Sequence, residues 1–238
     1  MNKSKALAIL ALLLYILSVV FQFSDEDVIA NALKSIILPV VTLLYFVTVK
    51  KKSLFFTLFL VLFSVSDLMF FLTPYVSNNI DYFLGNSLYI LAYGFLVVEV
   101  SKSISLFHVI RNYKIHLLVL TILNIYIIHV LQVIVDPFVA KTNEYYVELI
   151  YNIVMLLLLS VALVNYFYKD NVKSLYMFLG ALCIVFGEVI WVAYTYISER
   201  HFLSVVYITL YVSAFYFFYR QSRIEREVEL DESAMLVS

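Results

Sequence analysis

The chain has 238 residues and a net charge of −1; 64% of its residues are hydrophobic and only 14% are charged. Soluble domains carry roughly 45–50% apolar and about 25% charged residues. With a mean hydropathy of +0.96, an ordinary soluble domain, a disordered chain and a nucleic-acid binder are excluded. The single cysteine, Cys183, rules out a disulfide framework and a Cys-based metal site. Only 4 Gly and 3 Pro are present, so the connections between apolar runs have to be short.

A membrane-spanning helix needs about 20 mostly apolar residues. Eight such stretches follow one another, near 5–23, 29–49, 54–73, 81–101, 115–135, 144–168, 173–197 and 202–219. They are too long and too continuously apolar for the alternating strands of a membrane barrel. The expected fold is therefore all-α, a polytopic membrane bundle of eight transmembrane helices spanning 1–219. A charged tail, expected to be mobile and cytoplasmic, follows over 220–238. The first stretch has a basic start and an apolar middle. No small-x-small cleavage site follows it, so it reads as a retained anchor rather than a signal peptide. Of the 16 Lys and Arg, only Lys34, Lys141 and Arg200 fall on one side of this topology. The other side holds the rest, including Lys50, Lys51 and Lys52. By the positive-inside bias, both termini are expected in the cytoplasm. A bacterial inner membrane fits that pattern.

The third and seventh stretches echo each other. Each carries one carboxylate in an apolar run, Asp67 and Glu188, and each precedes a span with tyrosines four apart. Tyr89 and Tyr93 share one helix face, as do Tyr207 and Tyr211. A 4+4 parallel repeat is the corresponding expectation.

Polar side chains also recur at one depth. At about 1.5 Å rise per residue, Asp67, Glu188 and Lys34 lie roughly 5–7 Å outward of their span centres. Asn86, Tyr89, His129, Asn152 and Tyr207 fall near the same level. Ionisable groups in hydrocarbon need partners and face a bundle interior or a watered cavity. Taken singly, His129, Asn152 and Asn86 read as interhelical hydrogen-bonding glue. The coincidence of depth points instead to a polar-lined pocket, with a plain Lys–carboxylate ion pair as the structural alternative. Trp191, three residues beyond Glu188, shares its face and would wall that pocket or anchor at the interface. Glu99 and Lys102 lie near a span end and read as interfacial. Pro39 is expected to kink the second span.

Two carboxylates in a desolvated pocket suit acid–base hydrolysis. No GxSxG, HExxH, P-loop or GxGxxG motif occurs, and the four histidines (His108, His116, His129 and His201) lack metal-ligand spacing. No metal and no cofactor is expected. A substrate reaching such a pocket between apolar helices is itself lipid-like.

The order of motifs resembles the YhhN family of eight-span membrane proteins, which includes the lysoplasmalogenases. The resemblance rests on ALKSIILPVVTLLYF in the second span, LFLVLFSVSDLMFFL in the third, YFLGNSLYILAYGF in the fourth and GALCIVFGEVIWVAY in the seventh. The chain departs from the family pattern in three places. Tyr93 stands where the family has histidine, Glu188 where it has aspartate, and the Lys34-to-Pro39 step is longer. The resemblance implies hydrolysis of the vinyl-ether bond of a lysoplasmalogen, a lysophospholipid drawn from the membrane. Asp67 and Glu188 are then the catalytic pair. Lys34, Asn86, Tyr89, Tyr93, His129, Asn152, Trp191 and Tyr207 are candidates for binding substrate. The other readings are a non-catalytic lipid-binding or sensing protein on the same scaffold, and a proton-coupled small transporter. The scarcity of Gly and Pro, and hence of broken helices, counts against the transporter.

Overall fold

The computed structural model describes residues 3–139 and 143–235. Among these residues the structure is all-helical with no strands, and eight of its helices are long and apolar enough to cross a membrane. In chain order they are α1 (Lys3–Phe23), α2 (Asp27–Thr48), α3 (Leu54–Leu68), α4 (Asn78–Ser101), the short α5 (Leu106–Asn112), α6 (Lys114–Val139), α7 (Glu144–Lys169), α8 (Val172–Tyr196) and α9 (His201–Met235). The spanning set is these without α5. Lys141, one of the three cations on the sparsely charged side, lies outside the described residues.

The apolar runs and the helices coincide closely, with four differences. The third span leaves α-helix at Leu68 and tightens into 3-10 turns over Met69–Phe71 and Thr73–Tyr75. The fourth connection contains the extra turns of α5. Pro137, between the apolar runs that end at 135 and begin at 144, is inside α6. The eighth span does not stop at Tyr219: α9 continues as helix to Met235, across the expected start of the tail. Residues 236–238 of that tail lie outside the described residues. Capping sets two of the starts. Ser77 accepts from the Ile80 amide at the head of α4, and Asn171 accepts from the Ser174 amide at 2.9 Å at the head of α8. Asp170 supplies the left-handed residue between α7 and α8.

Neighbour contacts arrange α2, α3, α4, α7, α8 and α9 in a closed ring in that order. Helix α1 packs outside the ring on α2 and α9, and α6 packs outside it on α7 and α8. Helices α3 and α8 therefore stand opposite each other. Aromatic side chains fill the ring. Phe56, Phe59 and Phe63 project inward from α3 at helical spacing. The Phe59 ring meets Phe215 at 6.0 Å and Phe218 at 5.4 Å between centroids, and Phe63 meets Tyr89 at 4.6 Å and Phe215 at 5.0 Å. This column separates a polar region at the end of the bundle near Asp67 from another at the end near Lys51.

Candidate functional site

Asp67 is one helical turn beyond Phe63 on the inward face of α3, at the point where the α-helix gives way to the 3-10 turn. It is 4% exposed. A carboxylate accepts hydrogen bonds and does not donate them, and both Asp67 oxygens meet donors. Tyr89 on α4 donates to Oδ1 at 2.7 Å. Tyr211 on α9 donates to Oδ2 from across the ring. Lys34 on α2 donates to the Tyr207 hydroxyl at 3.0 Å. Its ammonium also faces the rings of Tyr207, Tyr211 and Trp191, at 4.7, 5.4 and 5.8 Å from their centroids. Lys34 is electrostatically coupled to both Asp67 and Glu188.

Glu188 enters from α8, opposite Asp67, partly buried and paired with the Tyr151 hydroxyl of α7. Tyr151 in turn lies 3.4 Å, oxygen to oxygen, from the hydroxyl of Tyr93. The cluster is thus two carboxylates bridged in charge by one ammonium, within a shell of tyrosine hydroxyls drawn from three helices, α4, α7 and α9. A cavity of about 360 Å³ opens beside it, walled by Asp67, Lys34, Asn86, Tyr89 and Trp191, together with Asp81 and Tyr82. The 3-10 segment after α3 closes one side through Thr73, which donates to Asp81 at 3.1 Å.

The structure brings together most of the residues singled out from the sequence, though not in identical roles. Asp67, Lys34, Tyr89, Tyr207, Trp191 and Glu188 share the cluster. Asn86 lines the cavity, but its amide donates to the Tyr82 carbonyl on its own helix. Tyr93 is fully buried and faces Tyr151 rather than the cavity. Asn152 is buried on α7, yet its neighbour Tyr151 is the residue that meets Glu188. His129 is not part of the cluster. It is exposed on α6, whose buried face carries Leu131, Gln132 and Val135. At about 100° per residue, His129 points roughly 200° away from Leu131. Depth alone cannot register this rotation.

Two participants were missed. In the sequence Tyr211 stands out only as the i, i+4 partner of Tyr207, and that shared face is the signal that both belong to the site. Tyr151 carried no signal beyond depth. Glu99 stands two residues from the end of α4, where it accepts from Ser53 Oγ at 2.5 Å and lines a second cavity at the opposite end of the ring. Its companion Lys102 does sit at the helix end, over the Phe55 ring at 3.7 Å.

No protein-family model, curated protein or solved structure matches this chain. The chemistry of the site is therefore read from its own geometry. Carboxylates on opposed helices, an intervening ammonium and an adjoining cavity lined mostly by polar side chains suit acid–base chemistry.

Proposed function

We propose that this chain is a membrane-embedded hydrolase that cleaves the vinyl-ether bond of a lysoplasmalogen-like lysophospholipid. The products are a fatty aldehyde and a glycerophospho-headgroup. The observation that carries this reading is the placement of Asp67 and Glu188 in one polar cluster with Lys34, beside a cavity walled by Asp67 and Lys34. The motif resemblance to the YhhN family supports it. So does the ring order, in which α3 and α8, the carriers of Asp67 and Glu188, stand opposite each other. In this reading both termini are cytoplasmic, the bundle resides in a bacterial inner membrane, and the Asp67 cavity faces outward.

The chemistry needs a proton donor, a cation-stabilising group and water. Protonation of the vinyl-ether β-carbon by Glu188 breaks the C=C π bond and forms an oxocarbenium ion. Asp67, held as an acceptor by Tyr89 and Tyr211, stabilises that cation and takes a proton from the attacking water. The resulting hemiacetal collapses to aldehyde and alcohol. The net reaction consumes one water, and the proton taken by Asp67 is returned to Glu188. Lys34 tunes the two carboxylates through its charge and meets the phosphate.

The test is aldehyde release by the purified protein in detergent from a lysoplasmalogen, with the saturated-ether analogue as control. General acid–base groups contribute about 10²–10⁴-fold. Asp67→Asn and Glu188→Gln are each expected to lose at least roughly 100-fold in turnover while still retaining lipid. Full activity in both variants overturns the assignment. Retained lipid without any turnover in the unmodified protein identifies a lipid-binding protein. The buried Tyr93–Tyr151 contact, at the position where the resembled family carries a titratable histidine, favours that second reading.

A further inference from the structure

Asp67 and Glu188 stand on opposed helices, and the Lys34 ammonium, coupled to both, repels a proton passing directly between them. A second route to Glu188 is built on α7. Glu148, half-buried there, accepts a hydrogen bond from the Tyr82 hydroxyl of α4 at 2.6 Å. Tyr82 lines the same cavity as Asp67. Glu148 and Tyr151 stand three residues apart and so share one face of α7. Tyr151 is the residue whose hydroxyl pairs with Glu188, and Glu148 is itself electrostatically coupled to Glu188. Glu144, four residues earlier, continues that face to the first turn of the helix. Titratable side chains thus step, one helical turn at a time, from the end of the bundle and the cavity wall to Glu188. A contact that served only to join α4 to α7 would not need this placement. Chains of acidic groups inside membrane spans mark proton relays.

We propose that Tyr82 and Glu148 form a proton relay between the Asp67 cavity and Glu188. Cavity water carrying an excess proton gives it to the Tyr82 oxygen as the Tyr82 O–H proton passes to Glu148 Oε1. Glu148 then passes a proton to Glu188 at the level of Tyr151. Every O–H bond broken is matched by one formed, so one proton moves and both relay residues return to their starting state. The groups that face Glu148 are Glu144 on its own helix, Tyr82 on α4, and Glu188 and Tyr196 on α8. On α6, His129 and Asp136 are exposed. Glu188 in turn faces Tyr151, Lys34, Asp67, Tyr93 and Tyr207. The groups around Glu148 are anionic or neutral, so this route avoids the barrier that Lys34 sets on the direct one. In the hydrolase reading, it is the path by which the proton taken by Asp67 returns to Glu188. The relay itself needs only a Glu188 that changes its protonation state.

The experiment uses the full chain in neutral detergent, without substrate. A rapid jump from alkaline to acid pH is followed by the infrared carboxyl stretch, and the Glu188 component is identified by its loss in Glu188→Gln. The rate at which that band appears measures proton arrival at Glu188. Glu148→Gln and Tyr82→Phe, which remove the carboxylate and the hydroxyl of the relay, are each expected to slow it roughly tenfold or more. Glu148→Asp, which keeps a carboxylate, is expected to recover part of the rate. Glu99→Gln, at the opposite end of the ring, is expected to leave it intact. Two relay variants on different helices keep the proposal decidable where one fails to fold. A merely structural contact would lower the unfolding midpoint of both and leave the rate unchanged. An unchanged rate in either relay variant, equal slowing by Glu99→Gln, or the absence of any Glu188-dependent band overturns the relay. Aldehyde release is not measured, so the relay and the hydrolase reading fail separately.

Discussion

At the scale of single residues, the decisive contacts are tyrosine hydroxyls that span the ring. Asp67 is buried between Tyr89 and Tyr211, which anchor its two oxygens from different helices. Interhelical hydrogen bonds in membranes are worth modest amounts, averaging about 0.6 kcal/mol and reaching about 1.7. Their removal is therefore expected to disturb chemistry more than folding. Tyr211→Phe keeps the ring that packs on Phe215 at 4.9 Å and deletes only the donor. We expect an unfolding midpoint within a few degrees of the unmodified protein and turnover down roughly tenfold or more, because the cation-stabilising oxygen loses its fixed position. Thermal melts and aldehyde release on the same sample measure both. Tyr93→Phe, outside the cavity, is the comparison variant and is expected to retain turnover.

At the scale of helices, the contact between α8 and α9 explains why so glycine-poor a chain keeps Gly180. A Cβ there would stand within 2.9 Å of three ring carbons of Phe218. That ring cannot retreat, because it is fully buried and locked against Phe59 and Phe215. Overpacking of this kind costs about 1–3 kcal/mol. Gly180→Ala is therefore expected to lower the unfolding midpoint clearly, despite alanine's better helix propensity. Gly94→Ala, where nothing lies within 4 Å of the added carbon, is expected to be neutral or slightly stabilising. Comparing the two melts separates packing from propensity. Helix α6 shows the same principle in reverse. Its exposed His129 and its buried Gln132, whose amide has no hydrogen-bond partner, are set by the rotation of the helix against α7 and α8, not by depth.

At the scale of the whole molecule, six helices enclose an aromatic column with a polar cavity at each end. The two ends differ in chemistry. One presents Asp67, Asp81 and Lys34, and the other presents Lys51, Lys169 and Lys173 around Glu99. The lysine excess at the second end predicts that it is cytoplasmic. Single cysteines introduced at Lys52 and at Glu26, in a background with Cys183 replaced by Ser, test this in intact cells. Membrane-impermeant maleimide is expected to label the Glu26 position and spare the Lys52 position. The reverse pattern inverts the topology and places the Asp67 cavity inside.

Much of this was legible before any fold was known. The eight helices follow from runs of about 20 apolar residues, because a bilayer leaves backbone polar groups no partner but their own helix. Depth placed Lys34, Asp67, Glu188, Tyr89 and Tyr207 in one layer, because rise per residue is nearly constant. Rotation about each helix axis and the order of helices in the ring were decided only by tertiary packing. Apolar residues cover every face of a membrane helix, so periodicity does not announce which side meets protein and which meets lipid. For that reason His129 fell outside the cluster while Tyr151 and Tyr211 fell inside it. For the same reason the lysine-walled cavity, assembled from connections far apart in the chain, exists only once the ring has closed.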